Sequence, residues 1–135
     1  NRQIYVTELN EEMTAPKEGG LHKLLVEDPD EVYLGYEGTH WYKINGKYYL
    51  FFIHYRKGDN TRRSQACYVS DSLAGPYTGG EVLDTDGGYC NQGVAQGGIV
   101  STTNGMLCCF VTAVPWEDCR FLFRFILKMI FRYLA

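Results

Sequence analysis

An Asn-Gly pair set between two aromatic and β-branched runs constrains this chain more than any other feature. "HWYKI" precedes Asn45-Gly46 and "KYYLFFIHY" follows it. Both central residues of a type I′ turn need positive φ, which asparagine and glycine tolerate, so this stretch predicts a β-hairpin. The layout returns downstream in "VAQGGIVSTTNGMLCCF", with Asn104-Gly105 at the expected turn. Around these hairpins, Gln3 to Leu9 alternate polar and apolar like a half-buried strand, and "LHKLLVED" reads as a strand ended by Asp28-Pro29-Asp30. "KGDNTRR" reads as a polar turn, "SQACYVS" as a strand, "SDSLAGPYTGG" as a loop, and Glu81 to Leu83 as a short edge strand. The fold class is therefore all-β.

With 135 residues, 15 glycines and 11 tyrosines, the chain is long enough for one small domain of short strands and tight turns. A formal net charge of -3 gives no electrostatic reason to bind nucleic acid. Five cysteines, Cys67, Cys90, Cys108, Cys109 and Cys119, show no zinc-ligand spacing and read as buried or incidental thiols. The chain opens on Asn-Arg-Gln-Ile-Tyr with no signal-like apolar stretch, and the expectation is a piece of something larger. A hairpin-bearing unit that recurs with glycine-rich lead-ins is how propeller blades look in sequence, although a sandwich or open barrel also satisfies the periodicity.

Glu37 is the residue with chemistry to explain. It stands directly before the aromatic hairpin, next to Tyr36 and close to Trp41 and Tyr42. Aromatic walls would exclude water from the carboxyl and favour its protonated form, as a general acid requires, and they also suit the apolar faces of sugar rings. The competing expectation is an ordinary glutamate at a strand start, bonded to backbone amides.

"YEGTHWYKINGKYYLFF" resembles the glutamate-containing motif of glycoside hydrolase family 43, in which Glu-Gly-x-His precedes an aromatic strand. "QACYVSDSLAGPY" and "GVAQGGIVSTTNG" are similar to that family's following segments, in the same order, so that the resemblance runs from about Gln3 to Met106. It implies a fragment, about three blades, of a five-bladed β-propeller with its site in a central funnel. It also implies inverting hydrolysis of xylose- or arabinose-containing plant polysaccharides or oligosaccharides, with Glu37 as the general acid. The alternative is a non-catalytic carbohydrate-binding or scaffold propeller.

Two further carboxylates of the family, the base and an acid-tuning aspartate, have no visible motif before Glu37, and Asp28 and Asp30 make poor substitutes in their turn. Gln96 falls where many relatives carry a histidine near the funnel axis, sometimes close to calcium. Glutamine suits a hydrogen bond to sugar or water better than a metal, so no cofactor is expected. His54 is a candidate sugar contact or a structural histidine, and His40 belongs to the motif in a supporting role. The family includes secreted and intracellular enzymes, which leaves location open.

The resemblance stops after Met106, and the expected division is 1–106 as partial propeller and 107–135 as a separate tail. Read literally, Arg124, Lys128 and Arg132 recur at helical spacing in an apolar setting, giving an irregular or helical tail that seeks a membrane surface. It is too short and too charged to span a bilayer. With permitted third bases, the shifted reading frame from Phe110 onward can read "RDRGAVGRLPVPVPFYTEDDFPVFG", which resembles the family's next segment, "DxGAVGR-P" followed by "F-ED-FPVFG". The preferred expectation is an out-of-frame tail, with membrane association unlikely.

Overall fold

In β4, Lys47–Arg56, the run Tyr49 to Ile53 is buried without a break. An alternating strand covers one face; this one needs cover on both. The computed structural model describes residues 2–30, 32–84, 93–103, 105–112 and 123–126, and they form three antiparallel sheets. β1 (Gln3–Thr7) pairs with β2 (His22–Glu27). β3 (Glu37–Ile44), β4, β5 (Asp59–Ser70) and β6 (Thr78–Leu83) form a four-stranded meander in chain order. β7 (Val94–Thr102), β8 (Gly105–Thr112) and β9 (Phe123–Ile126) form the third sheet, again in chain order.

The four-stranded sheet lies between the other two. Leu50 and Phe52 project to one side and pack with Tyr36, Ala66 and Val26, against which Ile4 and Leu25 of the first sheet also rest. Tyr49 and Phe51 project to the other side and pack with Ile44, Cys67, Tyr42 and Ile99, the last on β7. Sheets stacked face to face, each a meander whose first strand begins the blade, are propeller blades. The chain thus holds one four-stranded blade between a two-stranded and a three-stranded neighbour, the all-β propeller architecture expected.

The first hairpin forms as its sequence dictates: Ile44 pairs with Lys47, and Asn45 and Gly46 take φ of 50° and 83°. The second differs by one residue. Thr102 pairs with Gly105, so Gly105 opens β8 and is not a central turn residue, while Asn104 lies outside the described residues. The polar "KGDNTRR" stretch also differs from expectation. It turns at Lys57-Gly58 and is already strand from Asp59, because β5 must run long enough to pair with the whole of β4. In the tail, Phe123–Ile126 form β9 on the edge of β8 where a helical or irregular chain was expected. Aromatic and β-branched residues beside an unpaired strand edge favour ladder formation over a lone helical turn. Lys128 and Arg132 lie outside the described residues, and among the described ones no helix is long and apolar enough to cross a membrane.

A buried polar contact joins the first sheet to the blade. Asp28 follows β2 and is 0% exposed; its Oδ2 accepts from His54 Nδ1 on β4 at 2.9 Å, and its Oδ1 accepts from the Asp30 backbone N–H at 3.1 Å. The Asp-Pro-Asp turn is therefore also a hydrogen-bonded anchor. Tyr36 packs edge-on against the same histidine, with centroids 4.9 Å apart, and stacks on Phe52 at 5.1 Å. Its hydroxyl lies 2.7 Å from that of Tyr68. Burial, reinforced by that partner, pushes the Tyr36 hydroxyl far above the ordinary tyrosine range, so it stays protonated.

Two stability predictions follow from this packing. Phe52 is fully buried, so Phe52→Ala is expected to cost about 3–5 kcal/mol in urea unfolding. Asp28→Ala leaves a buried histidine donor without its acceptor, at a cost of about 1–3 kcal/mol. Asp30→Ala loses only a 3.3 Å contact with the exposed Lys57, worth under about 1 kcal/mol. Equal losses for the two aspartates would contradict the anchoring role of Asp28.

Candidate functional site

Glu37 is the first residue of β3, the first strand of the central blade, and is half-buried. It pairs with Ile53, yet three residues on His40 pairs with Phe51, two residues back on β4. One extra residue is thus inserted in β3, a β-bulge that bends the strand and re-aims its first side chain. Gly38 supplies the left-handed geometry at this point, with φ of 63°.

The same glycine leaves room for a neighbour. The side chain of Gln96 on β7 occupies the space where a Cβ on residue 38 would project, its Cγ only 2.7 Å from that position. Glu37 and Gln96, more than fifty residues apart in sequence, are therefore brought to adjacent points at the starts of two successive blades' first strands. Among the described residues no hydrogen bond or ion pair takes up the Glu37 carboxylate, and the Gln96 amide is exposed. A glutamate spent on capping backbone amides would look different. Here a neutral donor and acceptor rests against Gly38, the residue that follows the acid in sequence.

The expected aromatic wall forms only in part. Adjacent strand residues point to opposite faces. Tyr36 turns into the core beneath the blade, and Trp41 donates from its indole N–H to the Tyr77 hydroxyl at 3.1 Å. Tyr42 belongs to the cluster that meets β7. The sequence-adjacent rings Tyr36 and Trp41 serve as packing, and their proximity to Glu37 in sequence does not make them its lining.

His40 lies half-buried on the site's strand, its ring parallel to that of Tyr42 within 7° at 6.3 Å. His54 is elsewhere. It is 3% exposed, bound to Asp28 through Nδ1, with Glu81 Oε1 3.3 Å from Nε2 but off the line of a hydrogen bond. The Asp28–His54 contact is the feature that sequence reading missed. Its one available signal was the apolar strand around His54, which implied that a buried histidine needed a partner.

A hard cation such as calcium takes six to eight oxygen ligands, carboxylates prominent among them. Gln96 offers one neutral oxygen, and among the described residues no cluster of three or more histidine, cysteine or acidic side chains could join it. The donor set does not fit, and no chemistry is routed through a metal here. The described hollows, lined by Arg2, Gln3, Tyr5 and Glu27 and by residues around Glu8 and Lys17, are on other parts of the surface.

No family model and no curated protein matches the sequence. Solved structures do. Over 93% of its length the chain is similar to a bifunctional GH43-CE protein of Bacteroides eggerthii, with 28% identity and a TM-score of 0.70, covering 17% of that protein. It shares the fold of an endo-arabinase from Bacteroides thetaiotaomicron VPI-5482 over 92% of the chain and 46% of that enzyme (13% identity, TM-score 0.66). An endo-1,4-β-xylanase from the same organism matches over 87% of the chain and 43% of its own length (18% identity, TM-score 0.66). The chain spans less than half the length of each. In blade architecture and in structure the chain is thus similar to part of a family-43 glycoside hydrolase propeller.

Proposed function

We propose that this chain carries the general-acid part of an inverting glycoside hydrolase acting on xylose- or arabinose-containing polysaccharides or oligosaccharides. The observation that carries the reading is the half-buried Glu37 at the bulged start of a blade's first strand, with no hydrogen bond or ion pair among the described residues and with Gln96 resting against the adjacent Gly38. Glu37, protonated, gives its proton to the leaving glycosidic oxygen as the bond breaks. Gln96 holds a sugar hydroxyl or a water by hydrogen bonds, and His40 supports the strand through Tyr42. The likeness to arabinan- and xylan-acting enzymes supports the substrate class.

Inversion also requires a carboxylate roughly 6.5–9.5 Å from the acid, on the opposite face of the sugar, to activate water. Asp28 and Asp30 precede Glu37, but the first is consumed by His54 and the second faces Lys57. Neither aspartate is free to serve as that base, and we read the chain by itself as inactive. We further read the chain from about Leu107 as out of frame. β8 crosses that point while pairing with β7, so strand pairing does not mark the boundary. Sequencing the coding DNA across codons 100 to 135 decides it: an intact shifted frame supports the reading, and the given frame reproduced removes it.

The enzymatic test places residues 34–106 in a complete family-43 propeller in exchange for its own segment. The chain by itself is expected to release no sugar from xylobiose or arabinobiose. In the complete propeller, Glu37→Gln should lower kcat on these disaccharides about 10²–10⁴-fold, the usual contribution of a positioned acid. Nitrophenyl glycosides, whose leaving group needs little protonation, should suffer far less. A scaffold or binding propeller predicts no activity with or without the substitution, and an equal loss on both substrate types would remove Glu37 from the acid's role.

A further inference from the structure

Gln96 meets Gly38 across two sheets that a single bridge, Arg63 with Gly93, joins on one side of it, so the separation on its other side needs a tie of its own. We propose that Tyr42 is the positioning residue that supplies it, through its hydroxyl. This rests on the reading of Glu37 and Gln96 as sugar-contacting residues.

Tyr42 Oη accepts a hydrogen bond from the backbone N–H of Ile99 on β7 at 3.0 Å. The approach is possible because residue 98 is glycine: a Cβ there would stand 2.9 Å from the Tyr42 oxygen. The ring is itself fixed, parallel to His40 on one side and meeting Phe51 edge-on at 6.0 Å and 73°. A rigid aromatic side chain thus spans the gap and bonds to a backbone group three residues beyond Gln96. The regular pairing of β7 runs from Ile99 back to Gly97, and the register shift between Val94 and Gly97 places Gln96 next to that anchored stretch, where its side chain comes to rest on Gly38. The two glycines act as a pair. Gly98 admits the tyrosine and Gly38 admits the glutamine, and a side chain at either would push the strands apart. The motif histidine gains a reason as well, since His40 backs the ring that sets the gap.

The test uses the chain as it stands, as the unaltered protein and as Tyr42→Phe and Gly98→Ala, with NMR exchange rates, nuclear Overhauser contacts and titration with xylobiose and arabinobiose. Tyr42→Phe removes one hydrogen bond and keeps the ring. The Ile99 amide should then exchange about three- to tenfold faster, the contact between the Gln96 side chain and Gly38 Hα should weaken, and exchange at Leu50 and Phe52 should stay unchanged. Gly98→Ala should give the same pattern with the hydroxyl still present. Where the unaltered chain binds either disaccharide, both variants should bind it several-fold more weakly. An unchanged Gln96–Gly38 contact in both variants overturns the positioning role, whatever the titration shows. If the unaltered chain binds neither sugar while the contact responds as expected, the positioning role stands and the sugar-contacting reading fails.

Discussion

A strand that is apolar on both faces dictates how everything around it must be arranged. Tyr49 to Ile53 bury every side chain, Leu50 and Phe52 toward one neighbour and Tyr49 and Phe51 toward the other. No single sheet satisfies such a strand, because hydrogen bonding uses its edges and leaves both faces to be covered. The two-stranded sheet supplies Val26, Ile4 and Leu25 on one side, and the three-stranded sheet supplies Ile99 on the other. Burial of a side chain such as Leu or Phe contributes about 1.5–3 kcal/mol, so a strand with several on each face ties three sheets into one cooperative stack.

Stacking of this kind brings the first strands of successive blades side by side at their starting ends. Chemistry then comes from small departures from regularity at those ends. A bulge at Glu37–His40 and a glycine of positive φ turn a regular strand into one whose first side chain is presented in a new direction. The Glu37 side chain is half-buried and has no partner among the described residues, whereas Asp28 is wholly buried and both its oxygens accept hydrogen bonds. Two carboxylates only nine residues apart in sequence therefore sit in opposite settings, one engaged in the joint between sheets and one at the bulged start of β3.

Much of this was legible in advance for local reasons. Asn45-Gly46 dictates its turn from two residues' conformational tolerance, and the adjoining apolar runs dictate strands. Motif order pointed to the blade architecture and to Glu37 as the residue of interest. What could not be read depended on partners distant along the chain. The Asp28–His54 contact joins residues on different sheets, and neither announces the other. Proximity in sequence misled at Tyr36 and Trp41, since a period of two sends neighbours to opposite faces and a bulge then interrupts the count. The second turn shifted by one residue because the register of β7 on β8, and not the Asn-Gly pair alone, decides which residues lie in the loop. At β9, an open ladder edge outweighed a helical charge spacing.

The contact of Gln96 with Gly38 has an evolutionary reading. Glu37 and Gln96 are carried by separate blades, and the Gln96 side chain reaches the other blade at Gly38, which offers no side chain of its own. Residue 96 is therefore a replaceable wall. Exchanging its amide for another polar group alters what the cleft can grip without disturbing the blade that bears the acid. A change at residue 96 and a change at residue 37 therefore fall on different blades, and either can vary while the other is held.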